Sequence, residues 1–316
     1  MKVRTKLNPH LRWKHVAPEH LQLESLRVAV IGGTGGIGQA LSRFLNSKGA
    51  DVTVVGQTYR EDSGSAIKFI KANLELMSEA KRVARELLSQ PYDLYIFSAG
   101  IVAATEREET LEGFERDLAV SYLNRMVILR TILPELDKMH TNELKRPRVF
   151  IMGNPGAGML GSPNDLNSER RYSALQAHSN TVAGNEALVF DCATRYPNVS
   201  VFGLNPGFIK TNIRNNLLGA GTWKSRIVEG FIGYWFQDAD TYAKHIGPLL
   251  VTPDIDTHSP AFFNSKGQAI YSQGFTKHHV EWVIAKSEEL LQKNDVLYSR
   301  ADPKFGLSLA PDWQNS

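Results

Sequence analysis

Residues 26–46 read LRVAVIGGTGGIGQALSRFLN. Val28, Val30 and Ile31 form a short apolar run of the kind that a buried strand needs. Gly32, Gly33, Gly35, Gly36 and Gly38 follow, with Thr34 among them. Ile37, Leu41, Phe44 and Leu45 then recur at helical spacing. Strand, glycine turn and helix in that order make an anion site. The glycines let the backbone turn tightly and approach a pyrophosphate, and the new helix offers unpaired N–H groups and the positive end of its dipole. The spacing is G-x3-G-x-G at 32, 36 and 38. It is neither the G-x-G-x-x-G turn nor a phosphate loop, which would end in Gly-Lys-Ser/Thr.

The rest of the chain fits one α/β domain around that turn. Of 316 residues, 42% are hydrophobic and 22% charged, ordinary values for a globular chain that buries its core without metals or staples. The single cysteine, Cys192, excludes an intrachain disulfide, fits a reducing compartment and reads as a small apolar helix residue. The net charge of +3 is spread along the chain, which excludes a nucleic-acid patch. No apolar run reaches the roughly 18 residues of a transmembrane helix. The first 25 residues carry Lys2, Arg4, Lys6, Arg12 and Lys14 with no acid before Glu19, a bias shared with mitochondrial presequences. Pro9 and Pro18 interrupt any long amphipathic helix there. The expectation is a surface arm over 1–25 of a cytoplasmic protein, with a mitochondrial destination as the alternative.

Strand and helix signals then alternate about six times. Strands are expected at Asp51–Val55, Ala66–Phe69, Tyr92–Phe97, Arg148–Met152 and Val199–Leu204. Helices are expected at Ser78–Leu88, about Leu111–Asp137, about Ser179–Arg195 and Thr276–Lys293. This alternation indicates a Rossmann-type, doubly wound parallel sheet flanked by helices, with right-handed crossovers. Ligands of such sheets bind where strands end, and three strand ends here are small or glycine-rich: Ser98-Ala99-Gly100, the run from Gly153, and Asn205-Pro206-Gly207. The strand at 51–55 runs into Gly56, Gln57 and Thr58, where an acid would accept both adenosine ribose hydroxyls of NAD. With no acid there and Arg60 placed to pair with a 2′-phosphate, NADP(H) is favoured over NAD(H).

Taken together these residues resemble the short-chain dehydrogenase/reductase family, from about Leu26 to Gly274. The marks are GGTGGIG (Gly32 to Gly38), Ser98-Ala99-Gly100 where the family has Asn-Ala-Gly, and NPGFIKT (Asn205 to Thr211) where it has P-G-x-x-x-T. The resemblance places Asn73-Leu74 against the adenine, and Pro206, Gly207, Ile209 and Thr211 against the cofactor. Phe263-Asn264 with Lys266-Gly267 is similar to the family's last strand. It implies a 26–275 domain, preceded by the arm and followed by a helix and tail over 276–316.

The catalytic positions depart from the family's Asn, Ser and Tyr-x-x-x-Lys. The Asn position falls at Ser121, and the Ser position at Gly153 or Asn154, whose amide can still donate to a carbonyl oxygen. Two registers are open for the Tyr. In one, Tyr172 is the acid and Gln176 stands for Lys; in the other, His178 replaces Tyr and Val182 replaces Lys. Tyr172 lies 34 residues before Pro206 and His178 lies 28 before it, bracketing the family's spacing of roughly thirty. The small residues of AHSNTVAGNEAL favour the second register. Neither contains the lysine. A tyrosine left near pKa 10 rather than 7 lacks about 4 kcal/mol of phenolate stabilisation and makes a poor base, yet it remains a usable acid. Histidine serves without a lysine. The expected activity is carbonyl reduction of a small or medium apolar molecule. The rivals are a nucleotide-binding sensor or scaffold and a non-redox enzyme using the same pocket. Glycines and aromatics over about 212–246, Trp223 and Trp235 among them, suggest a substrate lid. His245, His278 and His279 lack metal-ligand spacing. Family members commonly pair through their two long helices, so a homo-oligomer is a possible state.

Overall fold

Val28, Ala29, Val30 and Ile31 are fully buried because β1 (Arg27–Ile31) runs through the middle of the sheet. The computed structural model describes residues 5–59, 66–139, 146–207, 209–210 and 237–294. β1 pairs in parallel with β2 (Asp51–Gly56) on one side and with β4 (Leu94–Phe97) on the other. Outward from β2 lies β3 (Lys68–Lys71). Outward from β4 lie β5 (Arg148–Met152), β6 (Ser200–Leu204), β9 (Ala261–Phe263) and the antiparallel β10 (Ala269–Ile270). β7 (Ile209–Lys210) and β8 (Gln237–Asp238) form a separate parallel pair. The order β10-β9-β6-β5-β4-β1-β2-β3 reverses at β1, and a crevice opens beyond the ends of β1 and β4 at such a reversal.

Each face of the sheet is sealed by helices. α1 (Gly36–Ser47) and α6 (Ala239–Val251) pack together on one face; Gly247 admits the Phe44 ring, since a Cβ there would lie 2.0 Å from Phe44 Cε1. The other face carries α2 (Met77–Leu88), α4 (Asn124–Met139), α5 (Ala174–Arg195) and α7 (Lys277–Lys293). Gly184 of α5 lies against the Tyr122 ring, 2.6 Å from a would-be Cβ, so the helices approach closely there. Cys192 is buried on α5, where desolvation pushes its thiol up to about 12 and makes it inert.

Several elements differ from their sequence expectation. The helix placed at Leu111 begins at Arg116. A turn at Gly113 (φ +82°) precedes it, and the Glu115 side chain caps it by accepting the Asp117 and Leu118 N–H groups. A short α3 (Arg116–Leu118) leads through a wide turn (Ala119–Leu123) into α4. α5 starts at Ala174 rather than Ser179, because Ser173 caps it by accepting the Gln176 N–H. β3 lies two residues beyond the expected strand at both ends. The expected lid falls mostly outside the described residues; its last part, 239–246, is the first half of α6, with Tyr242, Ala243 and Ile246 buried and Asp240, Thr241, Lys244 and His245 exposed. The arm is more than a surface covering. It hydrogen-bonds along β10, with Asn8 N–H on Ala269 O at 2.8 Å and Tyr271 N–H on Lys6 O at 2.9 Å, and it buries Leu11 and Leu23.

Candidate functional site

The glycine turn joins β1 to α1 at the crevice. Gly32 has φ +95°, and a Cβ on it would strike the Ala99 backbone nitrogen at 2.2 Å. A Cβ on Gly38 would lie 2.3 Å from Gly32 O. Both positions demand glycine, which draws β1, α1 and β4 together. The space at Gly35 is open, with nothing within 4 Å of its Cβ position. Gly35 is the N-cap of α1 and no side chain caps the helix, so first-turn N–H groups face that space with the dipole behind them. This cradle fits a pyrophosphate. Ser98 and Ala99 close it from β4, both donating backbone N–H to Ile31 O. Gly56, the last residue of β2, has no room for a side chain: a Cβ there would meet Thr34 Oγ1 at 2.4 Å. Gln57 Nε2 donates instead to Asn73 Oδ1 at 2.8 Å, with Leu74 buried beside it. Asn205 ties the far wall, donating to Pro155 O at 2.8 Å and accepting from Gly207 N–H at 3.0 Å. Arg60, Thr211 and the Ile209 side chain lie outside the described residues.

The second half of the site lies beyond the ends of β4 and β5. His178, on the second turn of α5, faces α3: its Nδ1 is 3.2 Å from Asp117 Oδ2. Asp117 is fully buried, whereas the imidazole keeps 36% of its surface exposed. Ser121 Oγ donates to the other Asp117 oxygen at 2.6 Å and accepts the Ile101 N–H at 2.9 Å. The wide turn at 119–123 thus presents Ser121 to the strand-end loop and fixes the carboxylate. Asp117, by hydrogen bond and by charge, raises the His178 pKa above its usual value against the opposing effect of burial, and Glu115 adds to the rise. Burial pushes the Glu115 carboxyl upward in turn. With Asp117 on Nδ1, Nε2 is the nitrogen left for a ligand.

Tyr172 is engaged elsewhere. Its hydroxyl donates to Ala104 O at 2.6 Å, tying the loop after β4 to the segment before α5. Burial and the nearby carboxylates push it up to about 12. Gln176 Nε2 donates to Asn180 Oδ1 at 3.1 Å, and Val182 is buried with 3% exposure. Asn154 follows β5 at the crevice, half-buried. Two residues escaped the sequence reading: Asp117 and Arg125 stand four residues on either side of Ser121. A polar residue at every fourth position of an otherwise apolar helix was the available signal. Arg125 is 2% exposed and donates to the carbonyls of Ala99 and Met152. His279 holds Leu160 O at 2.9 Å, and among the described residues no group of three or more His, Cys, Asp or Glu is placed to hold a metal.

No family model matches the chain. An uncharacterized oxidoreductase of Saccharomyces cerevisiae is 47% identical over 293 residues, which cover 91% of this chain and 95% of that protein. A short-chain dehydrogenase/reductase of Penicillium rubens is 25% identical over 199 residues, 59% of this chain and 58% of its own. Among solved structures, a 3-oxoacyl-(acyl-carrier-protein) reductase of Agrobacterium tumefaciens with NADP bound aligns with a TM-score of 0.56 at 18% identity. That alignment covers 78% of this chain and 96% of the other.

Proposed function

Because the chain belongs to the short-chain dehydrogenase/reductase family, we propose that it reduces the carbonyl of a small or medium apolar substrate with NADPH, and that His178 is the proton donor. The observation that carries the reading is the His178–Asp117 pair at 3.2 Å beside the strand-end crevice. When bound, the dihydronicotinamide supplies the hydride that attacks the carbonyl carbon. His178 gives the proton from Nε2 to the carbonyl oxygen, so ketone or aldehyde, NADPH and one proton become alcohol and NADP+. Asp117 holds the ring by Nδ1 and stabilises the imidazolium before transfer; Ser121 keeps the carboxylate in place. Asn154 donates its amide N–H to the same oxygen and orients it. The NADPH preference is supported by the end of β2, where Gly56, Gln57 and Thr58 include no acid, and by Arg60 close behind in sequence.

The reaction needs no lysine at Val182. A lysine serves to depress a tyrosine, whereas an imidazolium is acidic enough at neutral pH. Because its pKa is raised, His178 is the charged donor below that value, and kcat/KM for reduction falls as pH rises through it. The test is dihydronicotinamide oxidation over a panel of apolar ketones and aldehydes. His178→Ala is expected to lower kcat/KM about 10²–10⁴-fold, the usual share of general acid catalysis. Tyr172→Phe is expected to act more weakly, through loss of the strap to Ala104. Unchanged turnover in His178→Ala refutes the assignment.

A further inference from the structure

Arg125 is a buried cation that the proposed proton transfer does not use. It lies on α4, four residues after Ser121 and eight after Asp117, on one stripe facing the strand ends. Its Nη1 donates to Met152 O and, at 2.7 Å, to Asn185 Oδ1; its Nη2 donates to Ala99 O. Asn185 in turn donates to Ser121 O and Thr181 O, both at 2.8 Å. The guanidinium therefore ties β4, β5, α4 and α5 together under the crevice. Three of its contacts are neutral carbonyl oxygens, its Nε has no partner, and among the described residues no carboxylate reaches ion-pair distance of it. Burial of such an ion is costly, and neutral dipoles alone compensate it poorly. The charge that offsets it is Asp117, and burial nevertheless pulls its pKa down to about 9. α5 brings no cation of its own here, since Val182 is apolar and buried.

We infer that Arg125 is a positioning residue of this site. Held on the ends of β4 and β5, it shares the field of Asp117 with His178 and so sets the acid strength of the imidazole from α4. Asp117 stabilises the imidazolium directly, and the Arg125 charge, held by the same carboxylate's field, opposes it by its own repulsion. The charged groups that act on His178 are Asp117 of α3 and Glu115 at its start; Tyr172, before α5, faces the same two carboxylates together with Arg107 and Glu108. Arg125 is locked in place by the backbone carbonyls of Ala99 and Met152. Its catalytic consequence rests on His178 being the acid; its electrostatic effect does not.

The experiment is an NMR titration of the His178 imidazole in the full chain, which needs neither substrate nor cofactor. Arg125→Met is expected to move the midpoint upward by about one unit, tenfold in acid constant. Asp117→Asn is expected to move it downward. A folded Arg125→Met protein with the wild-type midpoint overturns the inference, because a purely structural role lowers the melting temperature and leaves the titration alone. Should the Met variant fail to fold, Arg125→Lys and Arg125→Gln decide the matter, since each keeps a donor for the carbonyls. Positioning by charge moves the midpoint upward in Gln and not in Lys; equal midpoints in the two overturn it. The same titration separates this inference from the proposed reaction. A shifted midpoint together with full turnover in His178→Ala keeps the electrostatic role of Arg125 and removes His178 from the chemistry.

Discussion

Glu186 is another buried ionisable group, one turn beyond Val182 on α5 and 1% exposed. It accepts one backbone N–H, that of Gly156, shared between its two oxygens at 3.2 Å each. Desolvation outweighs this bond and the neighbouring Ser272 hydroxyl, and pushes the carboxyl up to about 7. A carboxyl raised on folding binds more protons in the native state than in the unfolded one. Stability therefore falls as pH rises from the unfolded value near 4.5 through about 7. The gap of about 2.5 units corresponds to an upper bound of roughly 3 kcal/mol, lost fully above pH 7. Glu186→Gln keeps an acceptor for Gly156 and removes the charge. It is expected to raise the melting temperature at pH 8 and to leave it nearly unchanged at pH 4; equal stabilisation at both values refutes the account.

Helix starts are where sequence and structure part company, and the reason is the side chains that cap them. β1, β5 and the glycine turn were legible because a buried parallel strand is an unbroken apolar run and the turn demands glycine at 32 and 38. The start of α3 was not, since Leu111 and Phe114 continue the apolar pattern while Gly113 and the Glu115 cap break the backbone. Leu111 is 96% exposed, an apolar residue outside any helix face. The candidate site shares this limit. Ser121 and His178 were singled out by position, whereas the mark of Asp117 is only its four-residue spacing from Ser121, which a solvated helix acid shares. Its burial follows from where α5 packs. α2 shows the same effect over a longer reach: its N-cap Leu76 offers no side-chain bond, and Glu112 accepts the N–H groups of Met77 and, at 3.0 Å, Ser78. Glu112→Ala removes this remote cap and is expected to cost about 1 kcal/mol in denaturant unfolding without changing the His178 titration. A cost near zero means that water caps the helix equally well.

At the scale of the whole molecule, the arm and α7 cover one sheet edge and one helical face from within the chain. The arm runs along β10 and closes that edge of the sheet. α7 lies over α5, seating Val280, Val283, Ile284 and Leu291 in the core of that face. An ion network pins it. Arg130 of α4 meets Asp191 of α5 at 2.7 Å and Glu288 of α7 at 2.8 Å, all with little exposure, and Arg195 pairs with the same Asp191 at 2.7 Å. Tyr122 adds a buried hydrogen bond to Ser287 at 2.7 Å. Among the described residues α7 and this network cover the α5 side of the two long helices, which argues against a four-helix interface with a second copy. The other edge strand, β3, carries Lys68 and Lys71 at its ends, and charged ends oppose edge-to-edge pairing. The expected solution mass is that of one chain, 35.2 kDa. Light scattering at micromolar concentration checks it, and a mass of two chains refutes the argument from covered faces. The network also sets what its loss does. Arg130→Met leaves Asp191 and Glu288 as buried carboxylates with one cation, Arg195, between them, and breaking a buried pair costs about 3–5 kcal/mol. With α7 loosened, its apolar seat on α5 is exposed and association follows. The variant is expected to melt lower and to gain mass with concentration, whereas a lower melting point with an unchanged single-chain mass would show that α7 stabilises the fold without shielding it from its copies.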